Sequence, residues 1–338
     1  MIEICRGLLI RLKLNRVIFA DTYRVPLSTK CASKSILSAV KFLPPMSNLQ
    51  ASKSILSAGR VALVTGGGTG IGNIIARGLA ANGAKVYITG RRKEVLEKAA
   101  TDVASTGLRL VPLLMDVTDK DTIRSAVEVV KGEEGKLHVL VNNAGMQGPR
   151  DPHAANPSAP ERKNIETYSR HIFESQSYDE WNATYQTNVS AIFFVTYAFL
   201  ALLEAGARDL GQGETTSIVN ISSGAGTWHL PRGRHCYLAT KAAVNHLSVS
   251  MATDFALEKV PVRVNVISPG YFKSEMSPPV MEELIKTDIV FPGTVSSFPT
   301  KRSGREEEMI VTVLGLVTSG YTNGQIVNLD GGASLVNP

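Results

Sequence analysis

Short apolar runs alternate with longer amphipathic stretches along most of the chain, from residue 60 to the C-terminus. The runs are rich in β-branched residues and predict strands at residues 61–65, 85–89, 108–114, 137–142, 216–221, 262–267 and 325–329. The stretches between them predict helices at about 70–82, 92–105, 119–131, 179–204, 236–258 and 304–318. Strands that alternate with helices form parallel sheets, and strands that are apolar throughout are covered on both faces. The pattern therefore predicts a single α/β domain over residues 59–338, built as a doubly wound, mainly parallel sheet with helices on both faces.

Two stretches interrupt this alternation. Residues 146–178 are polar, contain four prolines and lack a clear period, which predicts a loop insertion after the fourth strand. We expect its residues 150–170 to be a disordered surface loop. Residues 271–303 also contain four prolines, around a short helical pattern at 280–288, and we expect them to form a lid over a substrate. Both stretches follow strand ends, and open α/β sheets bind their ligands at the carboxyl ends of the strands.

The first 58 residues differ from the rest in charge and contain a repeat. Residues 1–45 hold eight basic and two acidic residues, which accounts for the formal net charge of +6 of the whole chain. The pI near 9.2 therefore does not indicate a nucleic-acid-binding face on the domain. The segment 32–39 recurs unchanged at 51–58. We expect residues 1–58 to be a disordered basic extension or an artefact without a role, in a cytoplasmic protein. The alternative is a mitochondrial targeting segment.

The chain offers little support for a membrane span or a metal site. No run of about 18 apolar residues occurs, so we expect no membrane partner. The three cysteines, Cys5, Cys31 and Cys236, have no spacing typical of metal ligands and cannot form a disulfide framework. Their arrangement predicts no metal and fits a reducing compartment.

A glycine-rich turn follows the first predicted strand and opens the first predicted helix. Its sequence is Thr65-Gly66-Gly67-Gly68-Thr69-Gly70-Ile71-Gly72. Glycines let the chain turn tightly and approach a phosphate, and the N-terminus of a helix favours negative charge. Such a turn is weak evidence alone, but its place at the first strand–helix junction predicts a dinucleotide site.

The end of the second strand indicates which dinucleotide binds. An acidic residue there would bind the ribose 2′-hydroxyl of NAD(H), but the chain has Thr89-Gly90-Arg91-Arg92. Arg91, with Arg92 behind it, can pair with a 2′-phosphate, so we expect NADP(H) rather than NAD(H). The alternative is a solvated pair of arginines at a helix start.

Polar and small residues end the next two strands. Asp116 ends the third strand, where it either accepts a hydrogen bond from an adenine amino group or caps the helix near Thr118. The segment Asn142-Asn143-Ala144-Gly145 ends the fourth strand, where small residues leave room for adenosine against the backbone.

A tyrosine and a lysine supply candidate proton chemistry. Tyr237 and Lys241 are four residues apart on a predicted helix, so the phenol and the ammonium share one face. A nearby ammonium brings the pKa of a tyrosine, about 10 when free, closer to neutrality, which suits a general acid or base. Ser223, with Ser222 as the alternative, can hydrogen-bond a carbonyl oxygen. Asn188, in the preceding long helix, either anchors a proton-relay water or distorts the helix as a core amide.

In this order, the motifs resemble the short-chain dehydrogenase/reductase family over about residues 59–338. The resemblance rests on the glycine turn, Asp116-Val117, residues 142–145, Asn188, Ser223, Tyr237 with Lys241, and Ser268-Pro269-Gly270. It implies a Rossmann fold and a catalytic tetrad of Asn188, Ser223, Tyr237 and Lys241, in which Lys241 also holds the nicotinamide ribose. The cofactor contacts that it implies beyond the glycine turn and Arg91 lie at Asp116, Val117, Asn143, Ala144, Gly145, Pro269, Gly270, Phe272 and Ser274. Ser223 stands 14 residues before Tyr237, one more than the family pattern.

The resemblance implies an NADPH-dependent carbonyl reductase that transfers hydride to a ketone, or the reverse oxidation of a secondary alcohol. The chain is most similar in character to fungal 3-oxoacyl-reductase-like members, which suggests a 3-oxoacyl-like or secondary-metabolite substrate. The alternatives are an NAD-dependent alcohol dehydrogenase and a non-catalytic dinucleotide sensor. The intact tetrad argues against the sensor, which would need only the glycine turn. We expect a homodimer or homotetramer formed through the long apolar helices at 179–204 and 236–258. The substrate itself is encoded by no motif.

Overall fold

The protein is described by a computed structural model that covers residues 59–154, 156–275, 280–290 and 294–338. The basic extension, residues 1–58, lies outside the described residues, so the expectations for it stay predictions. Parts of the expected lid, residues 276–279 and 291–293, lie outside them as well.

Among the described residues, seven parallel strands form one sheet. They are β1 (Val61–Thr65), β2 (Lys85–Gly90), β3 (Leu110–Leu114), β4 (Val139–Asn142), β5 (Thr216–Ile221), β6 (Val262–Pro269) and β7 (Ile326–Leu329). Their order across the sheet is β3-β2-β1-β4-β5-β6-β7. The order reverses between β1 and β4, which pair in parallel with Val64 opposite Val141. This topology confirms the doubly wound parallel sheet and places a crevice at the reversal point.

Helices connect the strands. Those of the described residues are α1 (Gly70–Ala81), α2 (Lys93–Ala104), α3 (Lys120–Glu134), α4 (Ile165–Glu174), α5 (Tyr178–Tyr185), α6 (Ala191–Leu210), α7 (His235–Leu257), α8 (Val280–Ile285), α9 (Glu306–Thr318) and α10 (Ala333–Val336). Local chemistry sets their ends: Asp119 caps α3 by accepting a hydrogen bond from the backbone of Asp121, and Gly135 ends it with a φ of +66°.

The two faces of the sheet carry separate apolar cores. Successive residues of a strand point to opposite faces, so Val64 packs with α1, α2 and α9, and its neighbour Leu63 packs with α3, α6 and α7. Both side chains are 0% exposed. Helices therefore cover both faces, as the apolar strands predicted.

The long helix predicted at 179–204 is interrupted. It forms as α5, a single π-helical turn at Gln186–Ser190, and α6, which continues to Leu210. Within the described part of the chain, one helical stretch, Tyr178–Leu210, is long and apolar enough to cross a membrane by length and composition alone. One side of it is buried against the sheet through residues such as Phe199 and Leu203, as in a core helix.

The expectation of a disordered loop at 150–170 is wrong, because an acidic residue orders this segment. Asp151, 1% exposed, accepts hydrogen bonds from Arg162 at 2.5 Å and forms one with His171 at 3.0 Å. Arg162 ends a short 3₁₀ turn, and His171 lies in α4, whose N-terminus is closed by a capping box. The four prolines before α4 made its helical pattern difficult to recognise in the sequence. The pairing of one buried carboxylate with two cationic side chains stabilises the insertion.

Candidate active site

A cleft of about 400 Å³ opens at the reversal point of the sheet. Its walls come from the segments that follow β1, β2, β3 and β4, from the end of β5, and from α7. It brings together most of the residues singled out in the sequence, namely Gly66, Thr69, Gly70, Ile71, Arg91, Asp116, Val117, Asn143, Ala144, Gly145, Tyr237, Lys241 and Ser274.

The glycine turn at the floor of the cleft has no room for side chains at two positions. Gly66 has a φ of +62°, a conformation that favours glycine. A Cβ on Gly72 would lie 2.3 Å from the carbonyl oxygen of Gly66 and 2.4 Å from Nδ2 of Asn143. Gly72 therefore does not line the cleft but lets α1 pack directly against the turn.

The side chains of Thr65 and Asn143 join the ends of β1 and β4. Oγ1 of Thr65 accepts hydrogen bonds from the backbone nitrogens of Asn143 at 2.9 Å and Ala144 at 3.0 Å. Nδ2 of Asn143 donates in return to the carbonyl oxygens of Thr65 at 2.9 Å and Gly66 at 3.2 Å. The amide of Asn143 thus holds the glycine turn in place, a role beyond the adenosine contact expected from the sequence.

A carboxylate from the chain itself lies at the anion-binding end of the cleft. Glu275, exposed, accepts a hydrogen bond from Oγ1 of Thr69 at 3.2 Å and forms an ion pair with Arg92 at 3.1 Å. Arg91 lines the same end of the cleft. The glycine turn and the second arginine together therefore hold an anionic oxygen, which is the chemistry that a dinucleotide phosphate would require.

Asp116 lies where the third strand opens into the cleft. Its Oδ1 accepts hydrogen bonds from the backbone nitrogen of Thr118 at 2.9 Å and from its hydroxyl at 2.7 Å. These bonds fix the turn that leads to α3, while the cap of α3 is Asp119. Asp116 is thus not the helix cap, and its carboxylate faces the cleft beside Val117.

Tyr237 and Lys241 lie on one face of α7, as their spacing predicted. Lys241 is 5% exposed, and its Nζ donates to the carbonyl oxygen of Ile221 at 3.0 Å and lies 5.7 Å from the centre of the Tyr237 ring. Burial lowers the pKa of Lys241 to about 8.

The protonation of Tyr237 differs from the expectation. Burial raises the pKa of its phenol above 10, and the hydrogen bond with Ser223 and the charge of Arg234 lower it by less. The expected shift of this pKa towards neutrality by Lys241 is therefore wrong for the ligand-free protein, because removal of the phenolate from water outweighs the hydrogen bond with Ser223 and the charge of Arg234.

The structure distinguishes the two adjacent serines. Ser222 is 4% exposed, and its hydroxyl donates to the carbonyl oxygen of Lys241 at 3.1 Å. The hydroxyl of Ser223 instead accepts from the backbone nitrogen of Ala225 at 3.2 Å and hydrogen-bonds Tyr237. Ser223 is thus the serine beside the phenol, although one extra residue separates the two in the sequence.

Asn188 occupies the π-helical turn and is 1% exposed. Its Oδ1 accepts from the backbone nitrogen of Met146 at 2.8 Å, and its Nδ2 donates to the Met146 carbonyl oxygen at 2.9 Å and to Thr240 at 3.1 Å. The helix is therefore distorted at this amide, as one of the two interpretations predicted. The amide ties the segment after β4 to the helix that carries Tyr237 and Lys241.

Three residues implied by the resemblance lie away from the cleft wall. Pro269 ends β6, and a Cβ on Gly270 would lie 2.7 Å from Cα of Asp330. Phe272 is 4% exposed and lines a second cavity of about 170 Å³, with its ring against Gly304. The direction of a side chain after a strand end depends on what packs there, which the motif does not specify.

The described part of residues 271–303, the segment expected to form a lid, packs on the loop before α7. Ile285 in α8 and Phe298 form a small apolar cluster with Ala333, and Trp228 and Tyr271 pack against it. Ser274 approaches the glycine turn, where a Cβ on Gly70 would meet its Cβ at 3.1 Å. The segment thus reaches the cleft at Ser274 and Glu275, whereas Tyr271 and Phe272 before them line the second cavity.

The cleft fits a dinucleotide. At one end, the glycine turn leaves no space for side chains, and Thr69 and Arg92 already hold an anionic oxygen, which suits the phosphates of a dinucleotide. At the other end, Lys241 and Tyr237 lie where its reactive ring would bind. Within the described residues, no group of three or more His, Cys, Asp or Glu side chains could hold a metal ion.

Known proteins are similar to this chain in sequence and in fold. The chain matches the family model of short chain dehydrogenases over residues 60–284. It is 36% identical over 282 residues to the short-chain dehydrogenase/reductase PhomF of Diaporthe leptostromiformis, which covers 83% of this chain and 93% of that one. It is 31% identical over 281 residues to a rhamnolipids biosynthesis 3-oxoacyl-(acyl-carrier-protein) reductase of Pseudomonas aeruginosa, with 82% and 97% covered. The solved RhlG/NADP active-site complex of Pseudomonas aeruginosa is similar with a TM-score of 0.68 and 28% identity over 84% of this chain and 99% of that one.

Proposed function

Because the chain belongs to the short-chain dehydrogenase/reductase family, we propose that it is an NADPH-dependent carbonyl reductase that acts on a ketone. Family membership establishes the coarser statement, an NAD(P)-dependent oxidoreductase that acts on CH–OH or C=O groups. The observation that carries the finer proposal is the hydrogen bond between Ser223 and Tyr237 beside buried Lys241, at the end of a cleft that fits a dinucleotide.

The roles of the side chains follow from their positions. A bound nicotinamide would supply the hydride for the carbonyl carbon. Tyr237 donates its proton to the carbonyl oxygen as negative charge develops there, and Ser223 holds that oxygen by a hydrogen bond. Lys241 would bind the nicotinamide ribose of a bound cofactor, and it places positive charge beside the phenol. Asn188 positions this group by holding the segment after β4 against α7.

The proton role is tested by Tyr237→Phe. We expect turnover of ketones to fall by about a thousandfold or more, because general acid catalysis is lost together with the hydrogen bond to the oxygen. NADPH binding, measured by the change in cofactor fluorescence, should remain. Tyr321→Phe is the matched control, since Tyr321 is fully exposed. Turnover that survives in Tyr237→Phe would refute the mechanism, and a wild-type protein that binds cofactor but reduces no ketone would be a dinucleotide sensor.

The preference for NADPH rests on Arg91 and the missing acid at the end of β2. We expect Arg91→Asp to weaken NADPH binding by roughly 10- to 100-fold, the range of a hydrogen bond to a charged group, and to weaken NADH binding much less. Titration of both cofactors into both proteins measures this difference. Equal effects on the two cofactors would favour the runner-up, an NAD-dependent alcohol dehydrogenase.

The substrate class and direction require a panel. The name of the Pseudomonas aeruginosa relative supports a 3-oxoacyl compound as one candidate, and the fungal relative PhomF supports a fungal reductase without naming a substrate. Oxidation of NADPH against simple ketones, quinones and 3-oxoacyl thioesters would rank these classes.

Apolar side chains on the outer face of α6 support a homodimer or homotetramer. Phe193 and Phe194 are both 40% exposed, and Tyr197 beside them is 37% exposed. Aromatic side chains at this exposure favour burial in a symmetric contact between copies. Light scattering coupled to size exclusion measures the mass, and a monomer at micromolar concentration would contradict this assembly.

A further inference from the structure

Three arginines, Arg150, Arg232 and Arg234, lie close together on two neighbouring segments, and Arg234 lies near Tyr237. Arg234 precedes α7 by one residue and lies one helical turn before Tyr237. Arg232 lies two residues earlier, and Arg150 belongs to the segment after β4. Arg232 and Arg234 are partly buried. The positive charge of Arg234 reaches the phenol of Tyr237, and Arg150 and Arg234 both act on Arg232.

Backbone contacts hold these segments in place. The backbone nitrogen of Asp151 donates to the carbonyl oxygen of Gly233 at 2.8 Å, which puts Arg150 beside the turn. The turn itself closes through a hydrogen bond from the nitrogen of Arg234 to the oxygen of Pro231 at 2.8 Å. Arg232 has a φ of +47°, a left-handed conformation that is unfavourable for a side chain of this type. Strained backbone of this kind is concentrated at functional sites.

The three guanidinium groups have no carboxylate partner among the described residues. Burial lowers the pKa of both Arg232 and Arg234, and the neighbouring arginines lower it further. Asp151, which follows Arg150 in the chain, is already paired with Arg162 and His171.

Most of the other arginines of the described chain have partners, and the buried Arg263 donates to the carbonyl oxygens of Leu316, Val317 and Thr322. Seven of these arginines form ion pairs with carboxylates: Arg77, Arg92, Arg124, Arg162, Arg170, Arg208 and Arg302. The exposed Arg150 needs no partner, but the partly buried Arg232 and Arg234 repel each other and lose hydration. A bound anion would remove both penalties.

We infer that Arg150, Arg232 and Arg234 bind an anionic group, a carboxylate or a phosphate, on the carbonyl substrate. The inference rests on the proposed function, because it places the reacting carbonyl at Tyr237 and the anion one helical turn away from it. Planar guanidinium groups bind carboxylate and phosphate oxygens in pairs of hydrogen bonds, so the cluster selects for such substrates and orients them. The substrate class is therefore an oxo acid or a phosphorylated ketone rather than a neutral ketone.

Matched substrates test the charge directly. We would compare 3-oxobutanoate, 4-oxopentanoate and 5-oxohexanoate with their methyl esters, and dihydroxyacetone phosphate with dihydroxyacetone. For at least one pair, kcat/KM of the wild-type protein should be tenfold or more higher for the anion. Arg232→Gln should reduce this ratio by roughly 10- to 100-fold, chiefly through KM, since a charged hydrogen bond is lost. Arg232→Lys should retain part of the preference.

The control variant is Arg170→Gln, which removes the same charge from an exposed position on α4. It should leave the ratio of anion to neutral substrate unchanged. If Arg170→Gln lowers the ratio as much as Arg232→Gln does, the effect comes from overall charge and the inference is overturned. It is also overturned if acids and esters, and the two dihydroxyacetone compounds, react equally well in the wild-type protein.

A binding measurement separates this inference from the proposed function. Glutarate and inorganic phosphate would be titrated calorimetrically into the cofactor-free protein. Binding to the wild-type chain and to Arg170→Gln, but not to Arg232→Gln, supports the anion site even if no ketone is reduced, in which case the proposed function alone fails. Absence of binding to the wild-type chain, or equal binding to all variants, overturns the site while ketone reduction can still stand.

Discussion

The buried ammonium of Lys241 should make the folded protein less stable than the same fold with an apolar side chain at that position. Lys241 is 5% exposed, and its Nζ has one hydrogen bond within the described structure, to the carbonyl oxygen of Ile221 at 3.0 Å. An ammonium removed from water with a single neutral acceptor is poorly compensated. Lys241→Met should show what the buried ammonium costs in stability.

The magnitude follows from the pKa. Burial lowers the pKa of Lys241 from 10.5 to about 8, so the unfolded chain binds the proton more tightly than the folded one. At about 1.36 kcal/mol for each pKa unit, the charged form of Lys241 destabilises the fold by roughly 3 kcal/mol at pH 7. Because the folded pKa is the lower one, this penalty is complete below about pH 8 and disappears as the pH rises towards 10.5.

Urea unfolding of the cofactor-free protein at several pH values measures this penalty. At one protein concentration, the free energy of unfolding of Lys241→Met should exceed that of the wild-type protein at pH 7. This difference should fall by about 2.5 kcal/mol between pH 7 and pH 10, because the wild-type lysine loses its proton. Lys98→Met is the control, since the ammonium of Lys98 is exposed on α2 and stays in water when the chain folds.

The test of the burial penalty is how the difference in free energy of unfolding changes with pH, not its value at a single pH. Packing of the methionine and loss of the hydrogen bond to Ile221 change the stability by an amount that does not vary with pH. A constant difference between the two proteins from pH 7 to pH 10 would therefore show that the ammonium is not destabilised by burial. The reasoning about Lys241 would then be refuted.

Two further predictions concern the cofactor end of the cleft and the packing of a helix. Glu275→Gln should tighten NADPH binding by about two- to fivefold, the scale of an exposed ion pair, because it removes the carboxylate that competes with phosphate. Fluorescence titration measures the affinity, with Glu282→Gln as the control. Gly206→Ala should destabilise the protein by about 1–3 kcal/mol in thermal unfolding, because its Cβ would lie 2.0 Å from the oxygen of Leu137. Gly315→Ala, with open space around it, should stabilise by about 0.5–1 kcal/mol.

Much of the fold could be predicted because its signals are local. The apolar runs located all seven strands to within a few residues, and the glycine turn marked the junction of β1 and α1. The ordered structure of the segment that contains α4 could not be predicted in the same way. It depends on Asp151, which binds Arg162 and His171, 11 and 20 residues away in sequence. The capping box at Asn164 and Thr167 was a visible signal for this helix, but it is short and follows four prolines.

In the candidate site, too, the features set by local sequence could be predicted, and those set by tertiary contacts could not. The spacing of Tyr237 and Lys241 is local, so their shared face could be predicted. The pKa of Tyr237 could not, because its direction depends on how deeply the cleft buries the phenol. Glu275 was missed because its partners, Thr69 and Arg92, are about two hundred residues away in sequence.

The protonation of the site bears on the direction of the reaction. Burial raises the pKa of Tyr237 above 10, so at neutral pH the ligand-free protein holds the proton that reduction of a carbonyl consumes. Oxidation of an alcohol needs the phenolate instead, and must first remove that proton from a buried group. The rate of oxidation should therefore rise with pH across the range in which the rate of reduction is constant or falls. Because Arg234 lowers the pKa of Tyr237, Arg234→Gln should move the rise in oxidation to higher pH. Identical pH profiles in the two directions would contradict a tyrosine that carries the proton.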